Sequence, residues 1–323
     1  MTARASSERD VARGGVLVGG EPVPVPDGLA WWRSVPGGAA WLEDLPRLVE
    51  GCVHDWTLTL RAPFEPATIS WVAPAELPDG MRAVLKVNFP DAESEHEADA
   101  LAFWDGSGAV RLLAHDRRRR ALLIARCEPG SQLWDVRDED AAYDISASVF
   151  RALWRPAPDD APFRPLDTEA HRWADELPIR WERHDKPFPR RLLSEAVALC
   201  RDLARSQPEL VVCHQDAHGG NVLRAGDRWL AIDPKPVLGE RAFDLASALR
   251  DRRGTLLRSP APERILERRL DRFAAELGVD RARARGWGIV HALGWGLTEE
   301  TVYPDLVECA RLLASRGTRT SGS

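Results

Sequence analysis

A chain of 323 residues with 44% hydrophobic and 29% charged side chains is long enough for a sizeable core, and its composition excludes a disordered or fibrous protein. A formal net charge of −6 argues against general nucleic-acid affinity, which needs a positive face for phosphates. The five cysteines are scattered without a C-x-x-C pair, so they outline neither a zinc framework nor a disulfide scaffold; reduced thiols in a cytoplasmic protein account for them, and no apolar run is long enough for a signal peptide or a membrane span.

Residues 1–27, with the run Glu-Pro-Val-Pro-Val-Pro, read as a mobile or extended leader. From Leu29 to Val53 the spacing of Trp32, Trp41, Leu45, Leu48 and Val49 predicts helix. β character follows in Trp56–Leu60, Ile69–Val72 and Ala83–Val87, with Asp79-Gly80 as a turn, so these runs read as a meander. Asp91 to Trp104 reads as an amphipathic helix closed by Gly106 and Gly108. Val110–Leu113 and Ala121–Ile124 are two further strands, with Arg117–Arg120 as a solvated hairpin tip between them.

After Gly130 the pattern changes to helices over 139–153, 168–183, 190–205, 262–277, 281–297 and 299–315, and the chain ends in a frayed tail, 315–323. Strands first and helices later predict an α+β protein. Its β-rich N-terminal lobe spans 28–126 and its helical C-terminal lobe 127–314, with a hinge near Ala125–Gly130 where a ligand cleft is common.

The strongest chemical signal is His-Gln-Asp-Ala-His-Gly-Gly-Asn at 214–221, followed by Ile232-Asp233-Pro234 after an apolar stretch. Protein kinases carry a related loop, H-R-D-x-x-x-x-N, and then a metal-binding Asp. Asp216 is placed to accept a proton from an attacking hydroxyl. Asn221 and Asp233 offer one amide oxygen and one carboxylate to Mg²⁺, a hard cation that takes oxygen ligands. Gly219 and Gly220 let the backbone turn between them. A zinc cluster of His214, Asp216 and His218 lacks a further ligand at convincing spacing. His218 also reads as a packed loop residue, and His214 as a brace that holds the loop through backbone hydrogen bonds.

Lys86 alternates with strand neighbours in Val84–Asn88, ahead of a glutamate-bearing helix. Kinases use such a lysine on the α- and β-phosphates and pair it with a helix glutamate. Glu97 is preferred over Glu93 and Glu95 because it lies where the helix is established. Adenine would meet the backbone of Ala125 to Cys127. No glycine occurs between Gly51 and Gly80, so the phosphate-covering role would fall to Pro66–Ser70, through Thr68 or Ser70.

Together these motifs, with Ser70-Trp-Val72, His96-Glu97, Gly108–Leu113, Glu128-Pro-Gly130, Trp229–Lys235 and Phe243–Ala246, resemble the aminoglycoside phosphotransferase superfamily, in its streptomycin kinase-like branch. The resemblance runs from about Trp56 onward. It implies a bilobal kinase-like fold and ATP-dependent phosphorylation of a hydroxyl, with Asp216 as base, Asn221 and Asp233 on Mg²⁺, Lys86 on the phosphates and Asp244 bracing the catalytic loop. Three positions depart from the branch: Gln215 stands where Gly is usual, Ala125 where a Glu is common, and Pro236 where Gly is usual.

The implied acceptor is a small hydroxylated, cationic molecule, an aminoglycoside or amino sugar. Carboxylates of the helical lobe, Asp135, Asp138, Glu139, Asp140, Glu299, Glu300 and Asp305, are candidates to receive it, with Trp295 as a stacking surface. The second class of function is a kinase-fold protein that binds nucleotide or a partner without turnover, prompted by Gln215 and the glycine-free loop.

Overall fold

A computed structural model of the chain describes residues 16–17 and 23–315. The leader expected over 1–27 and the tail over 315–323 therefore fall largely outside the described residues. The part of the leader that is described is tied down, because the Trp71 indole donates to the Pro24 carbonyl at 2.9 Å and a 3₁₀ helix starts at Asp27. The chain divides into two compact units, with boundaries after Gly106, Ala109 and Cys127. Each has its own apolar core.

The first unit contains β1 (Val16–Leu17), the 3₁₀ helix Asp27–Ser34, α1 (Gly38–Trp56), β2 (Thr59–Arg61), β3 (Trp71–Glu76), β4 (Arg82–Val87), α2 (Glu97–Trp104), β5 (Leu112–Asp116) and β6 (Ala121–Ala125). The strands form one antiparallel sheet in the order β1-β2-β3-β4-β6-β5. In β4 the alternation of strand residues puts Ala83, Leu85 and Val87 into the core at 0% exposure. Trp41, Leu42, Leu45, Val49 and Cys52 make the buried stripe of α1.

The single helix expected over 29–53 is two elements. Pro36 disfavours helical geometry in the residue before it, and Gly37 takes a left-handed φ of +82°, so the chain turns before α1 begins. α1 then runs on to Trp56 and displaces the start of the expected strand. α2 starts at Glu97 rather than Asp91, because Asp91 accepts the Ser94 amide at 2.7 Å and holds 91–96 in turns. The arginine run at the β5–β6 turn is partly paired: Arg117 with Asp99, and Arg119 with Asp55 and Asp116.

The second unit runs β7 (Pro129–Gln132), a 3₁₀ turn Leu133–Asp135, α3 (Glu139–Leu153), β8 (Arg164–Pro165), α4 (Leu166–Arg183), α5 (Arg190–Ala204), β9 (Val211–Cys213), β10 (Val222–Ala225), β11 (Arg228–Ala231) and β12 (Val237–Gly239). There follow α6 (Arg241–Asp244), α7 (Ala246–Leu249), α8 (Arg253–Arg258), α9 (Pro262–Leu277), α10 (Arg281–Gly296) and α11 (Pro304–Ala314). Two small sheets, β11-β10-β7 and β8-β12-β9, hold the loops of interest.

α10 is the central helix of this unit. Asp280 caps it by accepting the Arg283 amide at 2.8 Å, and Trp287, Ile289, Val290 and Leu293 are fully buried. Gly294 is required for contact: a Cβ there would lie 2.7 Å from the Trp173 ring. Glu240 takes the Trp287 indole N–H at 2.6 Å and Arg283 Nε at 2.6 Å, which ties α10 to the end of β12. Among the described residues no helix is long and apolar enough to cross a membrane.

Candidate active site

The first unit builds a buried polar chain at the end of β4. Lys86 stands opposite Val72 of β3, and its Nζ lies 2.7 and 2.8 Å from the two Glu97 oxygens. Asn88 Nδ2 donates to Glu97 Oε2 at 2.7 Å, and Ser70 Oγ donates to Asn88 Oδ1 at 2.7 Å. All four residues are buried, Glu97 at 1% exposure. A charge at that depth persists only when paired and hydrogen-bonded, which the lysine and the asparagine together provide. Ser70 thus faces Asn88 from the interior, while Thr68 is exposed. Asn88 was not singled out in the sequence, although it sits two residues from Lys86.

The glycine-free segment Pro66–Ser70 is held by indoles: Trp31 Nε1 donates to the Thr68 carbonyl and Trp32 Nε1 to that of Ile69, at 2.5 and 2.9 Å. In the segment Ala125–Cys127, the Ala125 amide donates to Arg111 O at 2.9 Å and the Arg126 amide to Arg82 O at 3.3 Å. The partly buried Cys127 thiol is pushed up to about 11 by burial.

In the second unit β9 delivers His214–Asp216, the loop returns through Asn221 into β10, and β11 delivers Asp233–Lys235. Asn221 Nδ2 donates to the Asp216 carbonyl at 3.0 Å, and the Ile232 amide to Asn221 O at 2.9 Å. Lys235 Nζ donates to Asp216 Oδ2 at 2.9 Å, and its amide to His214 O at 3.1 Å. Gln215 and Asp233 take left-handed φ values of +68° and +61°. A left-handed φ suits glycine, so glutamine occupies a strained position at 215. Asp244, fully buried, accepts the Gln215 amide at 2.7 Å and the Trp154 indole at 2.9 Å.

The electrostatics assign protonation states. Burial pushes the Asp244 carboxyl up to about 6, against the pull of the Trp154, Gln215 and His214 donors. Burial brings His214 down to about 4, although Asp216 and Asp233 both favour its charged form. His214 is thus neutral at pH 7, with Nδ1 accepting the Asp216 amide at 3.3 Å. For Asp216 burial acts upward, but Lys235, His218 and Arg250 together outweigh it and hold the carboxyl below its ordinary value. Asp216 is ionised, and only 8% exposed.

Asp216 forms part of the wall of a cavity of about 510 Å³, within the range of small-molecule sites. Trp134 stacks on His218 with ring centres 5.1 Å apart, and its indole donates to Asp251 Oδ1 at 2.6 Å. Asp251 Oδ2 in turn accepts the Gly219 amide at 3.1 Å. Arg269 of α9 donates to the carbonyls of Leu249 and Asp251 and so fixes the segment that carries Arg250 into the cavity wall.

Seven of the eight acceptor candidates, Asp135, Asp138, Glu139, Asp140, Glu299, Glu300 and Trp295, do not line this cavity; Glu139 pairs with Arg268 and Asp140 with Arg272. Asp135 accepts the Gln132 amide at 3.0 Å as a cap, and the exposed Glu299 pairs with Arg183 at 3.3 Å. Trp295 packs with Lys235 Nζ 5.4 Å and Arg250 Cζ 5.6 Å from its ring. Asp305 does line it. Sequence reasoning gave no role to Lys235, although it stood in the motif, and missed Arg250, Trp134 and Asp251.

The donor set suits magnesium. Asn221 commits its amide N–H to Asp216 and retains Oδ1 as an acceptor, and Asp233 adds a carboxylate, an all-oxygen pair of the kind Mg²⁺ supplements with water and phosphate. A zinc cluster finds no support: among the described residues no three His, Cys, Asp or Glu are grouped to hold a metal, and the Nδ1 atoms of His214 and His218 accept backbone amides.

Residues 55–297 match the family described as aminoglycoside/hydroxyurea antibiotic resistance kinase. The chain is 37% identical over 252 residues to a streptomycin 6-kinase of Streptomyces glaucescens, covering 77% of this chain and 81% of the relative. It is 33% identical over 311 residues to a hydroxyurea phosphotransferase of Kitasatospora aureofaciens, covering 84% and 88%. In fold it is similar to a solved aminoglycoside phosphotransferase, APH(4)-Ia, bound to ADP and hygromycin B, with a TM-score of 0.54, 14% identity, and coverage of 82% and 95%.

Proposed function

The chain belongs to the aminoglycoside/hydroxyurea antibiotic resistance kinase family and is a phosphotransferase with a hydroxyl acceptor, and we propose that it carries the γ-phosphoryl group of Mg·ATP to a hydroxyl of a streptomycin-like aminoglycoside or related amino sugar in the cytoplasm. The observation that carries this reading is Asp216, ionised and held by Lys235 and Asn221 at the wall of a substrate-sized cavity.

Asp216 Oδ1 receives the acceptor's proton, because Oδ2 is engaged by Lys235 at 2.9 Å. A carboxylate held below its ordinary value is a weak base. That suffices where the transition state is loose and the proton leaves late. Lys235 also carries positive charge beside the reacting hydroxyl, and Trp295 backs it. Lys86, fixed by Glu97 and Asn88, is the residue to grip the α- and β-phosphates. With the Ala125 and Arg126 amides committed, Cys127 is the better donor toward adenine. Asn221 Oδ1 and Asp233 would hold magnesium. Held there, the ion would supply positive charge to offset that of the polyphosphate.

A second reading, nucleotide binding without turnover, rested on Gln215 and the glycine-free loop. Gln215 keeps its amide on Asp244, and the loop is braced by two indoles, so neither favours inactivity. The test is ATP consumption with Mg²⁺ across streptomycin, other aminoglycosides and simple amino sugars, with ³¹P NMR of the product. A phosphomonoester on one acceptor is the expected result. Tight ATP binding with no product from any acceptor contradicts the proposal.

A further inference from the structure

The cavity beside Asp216 is unlike a receptor for a purely cationic acceptor. Four guanidinium groups, Arg250, Arg252, Arg253 and Arg258, share its wall with three carboxylates, Asp216, Asp251 and Asp305. Asp216 is paired with Lys235, and Asp251 is occupied by the Trp134 indole and the Gly219 amide. Asp305 is then the wall's uncommitted negative charge among the described residues. Arg250 feels the charge of Asp216 and Asp251 but donates its hydrogen bond to the Ala246 carbonyl, and Arg252 donates to the Leu133 and Val136 carbonyls. Arg253 and Arg258, both exposed, make no ion pair among the described residues.

Two buried groups point to a missing oxygen-rich partner. Ser247 is 2% exposed and Arg250 3%, both line the cavity, and Ser247 Oγ and Arg250 Nε make no hydrogen bond within the protein. A buried donor without a partner costs about 1–3 kcal/mol, so such groups are kept where a ligand completes them. A serine hydroxyl, a guanidinium edge and further guanidinium groups from the next turn are the donor set for a phosphate, sulfate or carboxylate.

We infer that the α7–α8 side of this cavity is an oxyanion subsite, and that the preferred acceptor is a hydroxylated molecule, an amino sugar among them, that carries a phosphate, sulfate or carboxylate group in addition to the hydroxyl presented to Asp216. The inference rests on the reading of this cavity as the acceptor pocket of a phosphotransferase. Asp305 gives the same pocket a place for an amine, so the two kinds of charge on one acceptor are both received.

Calorimetric titration with a saturating non-hydrolysable Mg·ATP analogue, which fills all three of the nucleotide's phosphate positions and so removes them from competition, tests it. The probes are glucosamine, glucosamine 6-phosphate, glucosamine 6-sulfate and inorganic phosphate. The expected result is that the phosphate and sulfate derivatives bind at least tenfold tighter than glucosamine, and that R253Q/R258Q shrinks that gap at least fivefold. Binding of inorganic phosphate alone, with no gain on the sugar derivatives, means that a free anion rather than the acceptor fills the subsite and overturns the proposal. So does an equal affinity for all sugars, or a gap unchanged in R253Q/R258Q. D305N keeps the test decisive if the double variant folds poorly, because removing that charge must widen the gap. Binding with the expected gap but no turnover on any acceptor would leave the subsite standing and refute the kinase reading; turnover without the gap would do the reverse.

Discussion

Replacing Lys86 by methionine removes one half of a buried ion pair and leaves the Glu97 carboxylate, 1% exposed, without its ammonium partner while Asn88 still donates to it. At 2.7 Å the gross attraction is about 6 kcal/mol for an effective dielectric of about 20. Desolvation of the two ions offsets most of it, several kcal/mol per ion, so the intact pair contributes little net stability. Breaking it is different, because the stranded carboxylate retains the desolvation cost: about 3–5 kcal/mol. Local stability of β4 and α2 reads this directly through amide hydrogen exchange, which should accelerate by about 10²–10⁴-fold in K86M. In K86M/E97Q the stranded charge is gone and most of the protection should return. ATP affinity should stay low in both variants, since neither has the ammonium. Exchange in K86M within about twofold of the parent, or a double variant no better than the single, would refute the reasoning.

Stability against pH should expose two opposed buried groups. Asp244, raised from 3.8 to about 6, holds a proton that the unfolded chain has lost, so it makes stability fall as pH rises through that window. His214, lowered from 6.5 to about 4, works in the opposite sense, so its contribution rises from pH 4 to 6.5 and amounts to about 3 kcal/mol. Calorimetric melting of D244N should therefore show a steeper rise over pH 4–6 than the parent, and an unchanged profile contradicts the assignment. K235M should let burial raise the Asp216 carboxyl and move the acid limb of the kcat–pH profile upward; an unmoved limb means that Lys235 does not set the charge of the base. Q215G relieves a left-handed backbone and a buried amide oxygen without a partner, so it should stabilise the chain by about 1 kcal/mol and raise the melting temperature by a few degrees, and a lower value contradicts the strain argument.

The long helices were legible because their buried stripes span several turns. α3 and α9 run over the residues that periodicity predicts, and α4, α5 and α10 differ by two residues or fewer. The final helix starts at Pro304 rather than 299 because Leu297 and Val302 pair across a turn closed by Thr298. β7–β12 and α6–α8 span two to six residues each, too short to display a period, and their places are set by tertiary partners. Within the candidate site, Asp216, Asn221 and Asp233 were readable because one short stretch carries them all. The Lys86–Glu97 pair was readable because a strand hands on to a helix within 11 residues. Trp134 and Asp251 were not, since their contact joins positions 117 residues apart. The arginine-rich wall was invisible for a related reason: spacing along the chain does not reveal which charges find partners elsewhere.

The central claim is that Asp216 handles the acceptor's proton in phosphoryl transfer. Its most direct test compares D216N with the parent enzyme in kcat on the acceptor that turns over, alongside the affinity for Mg·ADP. The account predicts a loss in kcat of about 10²–10⁴-fold with nucleotide affinity unchanged. Turnover of D216N at the parent rate would contradict it.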